Sequence, residues 1–430
     1  MKSLSMRSLP RWQPSAQVYR IPGSKSVTNR ALLLAGLGTT PVTLSNVLQS
    51  EDTQTMFDAL TEMGVGWQHL QGGQLHVTPS VGREIGERHI YVANAGTVAR
   101  FLLPVLAATP GVWVLRGTPR MHQRPIQPLV TALNEAGAAI TYLQREGFFP
   151  LQITGAALRL DRPFCLPNQV SSQFVSGLMY LAVVTGKRVT LGNLSGLVSR
   201  PYVELSRAVF RGFGFQSHLD ATGDVLQVEG VPTASPSQVF AIESDFSNAS
   251  YFLAAAAIAG KEVRLQGLCA PSIQGDAQIL EYLQRMGCSW EWLEDILIFR
   301  GAPQLQALQA DLADCTDIAP TLAAVCAFAH GRSCLTGLQN MRYKECDRTT
   351  VVAQCLQSLG VQLNYDLHSW HIEGAPEGRG LRPVVFDPCE DHRMAMMFAT
   401  LSAGVVGLRL LNPECVAKTF PDFFATFYQD

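Results

Sequence analysis

Runs of small and apolar residues recur along the chain at a nearly constant interval, and a short polar cluster opens each of them. The clusters are Gly23-Ser24-Lys25-Ser26, Asn94-Ala95-Gly96-Thr97, Ser171-Ser172-Gln173, Asp245-Phe246-Ser247-Asn248, Asp314-Cys315-Thr316-Asp317 and Glu390-Asp391-His392-Arg393. With Ser24, Asn94, Ser171, Asp245, Asp317 and Asp391 as markers, successive steps are 70, 77, 74, 72 and 74 residues. Capping residues ahead of an apolar run read as helix starts, and their even spacing reads as six copies of one structural unit. Behind each run comes a β-rich stretch: Pro41 to Val47, Gly111 to Arg116, Lys187 to Leu194, Lys261 to Leu268, Arg332 to Leu338 and Val405 to Leu411. Five units then carry a helix that ends at a glycine, at Gly64, Gly137, Gly214, Gly287 and Gly360, which lie 73, 77, 73 and 73 residues apart. Glycine just past a helix takes up left-handed backbone without a Cβ penalty. The pattern predicts an α/β chain of repeated units. The sixth lacks its closing helix and glycine, while residues to spare precede the first cluster.

At 430 residues, 47% hydrophobic and 16% charged, the chain is long enough for two or more domains with substantial cores. Its apolar peaks, Tyr251 to Ala259 and Ala323 to Ala329, are too short to span a bilayer. A net charge of −2 gives no general pull towards nucleic acid. Residues 1 to 50 hold no acid but include Lys2, Arg7, Arg11, Arg20, Lys25 and Arg30; with the first cluster already at Gly23 and no cleavable apolar region ahead of it, this stretch is read as mature structure. The ten cysteines form no Cys-x-x-Cys pair and several lie inside apolar runs, so they are read as free thiols of a reducing, cytoplasmic protein. The nine histidines are scattered, His368 and His371 included, and no metal is expected. Without a Gly-x-Gly-x-x-Gly or Walker-type loop, no flavin, nicotinamide or ATP cofactor is expected either.

Helix starts offer unpaired N–H groups and a favourable dipole to anions. The clusters add cations and hydroxyls to them: Lys25, Arg30, Arg100, Arg393, Thr97, Ser171 and Ser172. One such cluster is ordinarily a helix cap and one arginine a solvated charge. Six in register point to a phosphate or carboxylate site. Two more charged segments join them, Asn340 to Arg348 and Ala417 to Asp422. Taken alone, the first is a helix start with salt-bridged ends, since Lys344 and Arg348 stand four apart.

Pro22-Gly23-Ser24-Lys25-Ser26 with Asn29-Arg30, Asn94-Ala95-Gly96-Thr97, Arg124-Pro125-Ile126, Ser171-Ser172-Gln173-Phe174, Lys344-Glu345-x-Asp347-Arg348, Asp391-His392-Arg393-Met394-Ala395 and Lys418-Thr419-Phe420-Pro421-Asp422 resemble, in order, the motifs of the 5-enolpyruvylshikimate-3-phosphate synthases, members of the enolpyruvyl transferase family. The resemblance implies a two-domain inside-out α/β barrel of six βαβαββ repeats, three per domain, with helices inside and sheets outside. One domain would be discontinuous, residues 1–22 plus 243–430; the other would be 23–242. The active site would lie in the cleft between them, and substrate binding would draw the halves together about short hinges near residues 22 and 242.

The implied reaction transfers the enolpyruvyl group of phosphoenolpyruvate to the 5-hydroxyl of shikimate 3-phosphate and releases phosphate. By resemblance Asp317 is the general base at the attacking hydroxyl, Glu345 protonates the methylene carbon, and Lys25 lies between the substrates. Ser171, Ser172 and Ser199 resemble the holders of the shikimate phosphate. Ser26, Arg30, Tyr202 and Asn340 resemble the contacts to the ring, its carboxylate and its hydroxyls, and Arg200 stands where Lys is frequent. Gln173, Asp317 and Lys344 complete the shikimate 3-phosphate set. Asn94, Gly96, Arg124, Gln173, Arg348, Arg393 and Lys418 match the phosphoenolpyruvate side, with Lys344 and His392 flanking the reacting centre. Gly96 resembles the group sensitive to glyphosate; Ala93 stands where Gly is common, and Phe101, where Pro is common, is read as following that helix and tilting it. The implied partners are the two small substrates, with no nucleic acid and no membrane, and the implied state is a monomer. Two other readings remain open. One is the sister enzyme acting on UDP-N-acetylglucosamine, disfavoured because Ser26 follows Lys25 and Arg116 to Pro125 holds no cysteine. The other is a non-catalytic anion-binding homologue, disfavoured because two carboxyls in an anion pocket oppose binding unless they act chemically.

Overall fold

A computed structural model describes residues 5–79, 87–167, 171–234 and 239–429; Lys2 of the basic N-terminal stretch lies outside the described residues. The architecture is α/β. By internal contacts the chain divides into two compact units, Gly23–Ile242 and Met1–Pro22 with Glu243–Asp430, and each has its own hydrophobic core.

In the Gly23–Ile242 unit the helices are α1 (Lys25–Leu37), α2 (Glu51–Glu62), α3 (Gly96–Ala108), α4 (Gln127–Glu135), α5 (Ser172–Thr185) and α6 (Pro201–Gly212). Along α1, α3 and α5 most residues are buried. A helix apolar on all sides has to be enclosed, and these three pack on one another in the interior. Among the described residues three four-stranded sheets accompany them. In each, a parallel pair, such as Arg88–Tyr91 beside Val112–Arg116, continues into two antiparallel strands, here Leu151–Thr154 and Ala139–Tyr142. Burial alternates along Leu151–Thr154, the signature of a sheet with one face on a core and the other in water. The last strand of the unit, Val239–Ala241, pairs parallel with Val42–Ser45 near its beginning, which ties the two ends of the segment together.

The other unit has the same grammar. Its helices are α7 (Phe246–Ala259), α8 (Ile279–Arg285), α9 (Ala319–Cys326), α10 (Arg348–Leu359), α11 (His392–Thr400) and α12 (Phe423–Tyr428), with α7, α9 and α11 buried together. The N-terminal residues are part of it: Tyr19–Arg20 pairs parallel with Glu262–Gln266, and Met6–Ser8 pairs antiparallel with Arg409–Leu411.

The six polar clusters stand at or just ahead of the starts of α1, α3, α5, α7, α9 and α11, and Ser171, Asp245 and Asp391 cap their helices through their side chains. The five punctuating glycines have φ of 93°, 101°, 86°, 100° and 103°. Three local readings need correction. Phe101 lies inside α3 rather than after it. Lys344 precedes α10, whose first residue is Arg348, so the two do not share a helical face. Asp317 does not cap α9, because Ile318 takes that position. Among the described residues no helix is long and apolar enough to cross a membrane.

Candidate active site

Within the Gly23–Ile242 unit the site residues gather at helix starts. Lys25, the first residue of α1, pairs with Asp52 of α2 at 3.1 Å. One turn on, Arg30 is buried; its Nε donates to Ser206 Oγ (2.8 Å), Nη1 to the Ser26 carbonyl (2.9 Å), and Nη2 to the Tyr202 carbonyl (3.1 Å) and Ser176 Oγ (3.5 Å). These acceptors are all neutral, and burial pulls Arg30 down to about 10. At the start of α3, Arg124 Nη1 donates to the carbonyl and side chain of Asn94 at 3.1 and 3.4 Å. A Cβ on Gly96 would lie 2.5 Å from Arg124 Nη2 and 2.6 Å from Arg100 Nη1, so the absent side chain is what admits the two guanidiniums. Ala93 has φ 45°, which accounts for glycine being common there.

Arg100 Nη1 donates to Gln173 Oε1 at 2.9 Å, and Gln173 Nε2 donates to Thr97 Oγ1 at 3.2 Å, which links the starts of α3 and α5. Ser171 accepts from the Gln173 amide, and beside it Ser172 is buried. A bridge between Ser171 and Val198 brings the start of α5 beside the turn that carries Ser199 and Arg200 into α6. Ser199 has φ 58°, a strained setting for a side chain with a Cβ. Arg200 Nη2 donates to the Gly223 carbonyl at 3.0 Å, and Tyr202 offers its carbonyl to Arg30.

In the second unit the carboxylates and cations form one network. Asp347 caps α10 by accepting from the Thr350 amide, which turns Arg348 inwards at the helix's first position. The buried Arg348 donates from Nε to Asp391 Oδ2 (2.8 Å), from Nη1 to Asp317 Oδ1 (3.2 Å), and from Nη2 to Glu345 Oε2 (2.9 Å) and Asp391 Oδ1 (3.2 Å). Burial opposes the charge on Arg348, but Asp391, Glu345 and Asp317 together hold its proton more tightly than usual. Asp317 also receives Lys344 Nζ at 3.3 Å and Arg393 Nη2 at 2.9 Å. Burial lowers the Lys344 pKa, with Asp317 pulling the other way. His392 is buried with Nδ1 3.7 Å from Asp391, Asn340 opens the turn Met341–Tyr343, and Lys418 is buried at the end of the short helix Pro413–Lys418.

The residues that hold these groups carry little sign of that role in the sequence. Asp391 was a period marker and helix start; it also takes two bonds from Arg348 while accepting from the Arg393 amide. Asp52 does carry a signal, being an acid in the first turn after the Ser50 cap. Asp276, buried, accepts from Ser247 Oγ at 2.9 Å, and Ser247 in turn accepts from Arg393 at 3.3 Å. Asp276 is raised to about 6, chiefly by burial and then by Asp317.

Within this second unit, Asp317 and Glu345 stand beside the fixed cations Lys344, Arg348 and Arg393, a setting for moving protons on a polyanionic substrate. The chain is similar to known proteins over nearly its whole length. A family profile described as EPSP synthase (3-phosphoshikimate 1-carboxyvinyltransferase) matches residues 13–427. A 3-phosphoshikimate 1-carboxyvinyltransferase of Nitrosomonas europaea is 40% identical over 427 residues, covering 97% of each chain. One from Ralstonia nicotianae is 38% identical over 418 residues, covering 95% of each. Among solved structures, an EPSP synthase from Acinetobacter baumannii superposes with a TM-score of 0.76 at 22% identity, covering 99% of this chain and 98% of that one.

Proposed function

The chain belongs to the EPSP synthase family, and from that premise we propose which of its residues carry out the family's reaction. It is a 3-phosphoshikimate 1-carboxyvinyltransferase: it moves the enolpyruvyl group of phosphoenolpyruvate to the 5-hydroxyl of shikimate 3-phosphate and releases phosphate, a step of aromatic amino acid biosynthesis. Asp317 takes the proton of the attacking hydroxyl as its oxygen bonds to C2, and Glu345 gives a proton to the methylene carbon. The adduct then breaks its C2–O bond to phosphate, which leaves with the proton held by Asp317, while a proton passes from the new methyl group to Glu345; the double bond re-forms, Asp317 is again a carboxylate and Glu345 again an acid. Lys25, Arg124, Gln173, Arg348, Arg393 and Lys418, with Asn94 and Gly96, hold phosphoenolpyruvate; Lys344 and His392 flank its reacting carbon. Ser171, Ser172 and Ser199 hold the phosphate of shikimate 3-phosphate, while Ser26, Arg30, Arg200, Tyr202 and Asn340 hold the rest of it. Both substrates are multiply anionic, so fixed guanidiniums and ammoniums supply recognition as well as charge stabilisation.

We read the Gly23–Ile242 unit as chiefly the shikimate 3-phosphate half and the unit containing Glu243–Asp430 as the half with the catalytic carboxyls. The recurrent sheet order around enclosed helices supports six βαβαββ repeats in an inside-out arrangement. The observation that carries the mechanism is the joining of Asp317 and Glu345 to one guanidinium, at 3.2 and 2.9 Å on Arg348, with Lys344 and Arg393 also on Asp317. Phosphate release measured with both substrates tests it. Glu345→Ala and Asp317→Ala should each lower kcat by roughly 10²–10⁴-fold, and full activity in either variant removes that residue from its role.

A further inference from the structure

Arg30 is enclosed in an unusual way for a buried cation. A guanidinium has five N–H donors, and Arg30 makes four hydrogen bonds, all to neutral oxygens of Ser26, Ser176, Tyr202 and Ser206. Among the described residues no carboxylate pairs with it, and one Nη1 hydrogen has no protein acceptor. The Arg30 Cζ lies over the Phe101 ring, 5.0 Å from the ring centroid. Phe101 is fully buried on α3 and is itself braced by Tyr180, with ring centroids 5.3 Å apart. An aromatic face attracts a cation without neutralising it, and burial strengthens the attraction because water does not compete.

We propose that Phe101 is a positioning residue: its ring fixes the plane of the Arg30 guanidinium and keeps the charge unneutralised, so that the remaining N–H meets the carboxylate of bound shikimate 3-phosphate. This rests on the assignment of Arg30 to that carboxylate. An aliphatic side chain of similar volume fills the space but lacks the π face, so the guanidinium loses its lateral hold while the hydrogen bonds around its edge persist.

The experiment uses the full-length enzyme with mono-, di- and trifluorinated phenylalanines at position 101, which drain the ring's negative face with little change of shape, alongside Phe101→Leu and Arg30→Met. The expected result is a stepwise rise in KM for shikimate 3-phosphate along the fluorinated series, reaching about tenfold for the trifluoro ring or for Phe101→Leu. KM for phosphoenolpyruvate should hold within about twofold, because a ring packed on Arg30 does not touch it. A KM for shikimate 3-phosphate that stays flat across the fluorinated series while Arg30→Met raises it overturns the role of Phe101 and leaves the Arg30 assignment intact. Unchanged KM in Arg30→Met removes the assignment, and the inference falls with it.

Discussion

Two arginines with the same number of hydrogen bonds show how differently one fold uses a buried positive charge. Arg30 and Arg348 are 2% and 1% exposed, and each makes four bonds. Every acceptor on Arg30 is neutral, whereas Arg348 is held by Asp317, Glu345 and Asp391. Burial costs both of them solvation. At Arg30 no carboxylate among the described residues offsets the cost and the proton is held less tightly, down to about 10; at Arg348 the three acids reverse the sign. On the assignment proposed above, the first is a charge open to a substrate carboxylate. The second is a strut that keeps three mutually repelling carboxylates in place, two of which are assigned to proton transfer.

The sharpest way to break this contrast is to remove each charge in turn. Arg348→Met leaves three carboxylates together, and Asp391 is wholly buried; removing one partner of such a network costs about 3–5 kcal/mol of folding stability. Thermal and urea denaturation should show that loss, with activity abolished even where the protein still folds. Arg30→Met should do the reverse to stability, because an unneutralised buried cation gives way to an apolar chain while Ser206 can still bond Ser176 (2.8 Å) and the Tyr202 carbonyl (2.9 Å). Its midpoint should equal or exceed that of the wild type, and its KM for shikimate 3-phosphate should rise by about 10–100-fold, the worth of a hydrogen bond to a charged group. Equal destabilisation by the two substitutions would mean that the acids around Arg348 add nothing.

Most of what lies near each residue in sequence was legible. Ser24, Ser171, Asp245 and Asp391 mark helix starts, and Gly64, Gly137, Gly214, Gly287 and Gly360 mark ends, because caps and left-handed glycines are set by backbone within a turn. The family motifs then gave the reaction. What stayed hidden were the pairings across sequence. Nothing around Asp317 announces that cations 27, 31 and 76 residues further on converge on it, so helix capping was its only local reading. The same holds for Arg30, whose partners Ser176 and Ser206 lie 146 and 176 residues away, on α5 and α6. The six-cluster period announced that helix starts matter; it carried no record of which charges are neutralised and which are left open.

A smaller effect sharpens the picture of the carboxylate-rich side through pH. Asp276, in the turn Gly275–Gln278, faces Ser247 on α7, Arg393 on α11, Asp317 ahead of α9 and Asp245 at the start of α7. Burial first, then the negative charge of Asp317, raises its pKa from 3.8 to about 6, with Arg393 opposing. A carboxyl raised in the folded state favours folding fully below its unfolded pKa, and the benefit is lost as pH climbs through the folded value. The window is therefore about pH 4 to 6, with destabilisation complete above it. Asp276→Asn keeps a polar partner for Ser247 but cannot ionise, so its stability relative to the wild type should grow across that window by on the order of 1–3 kcal/mol and level off near pH 7. Denaturation midpoints of both proteins at several pH values from 4 to 8 measure it. A constant difference across the range would show that Asp276 ionises as easily folded as unfolded, and that Arg393 compensates a second acid as completely as Arg348 compensates its three.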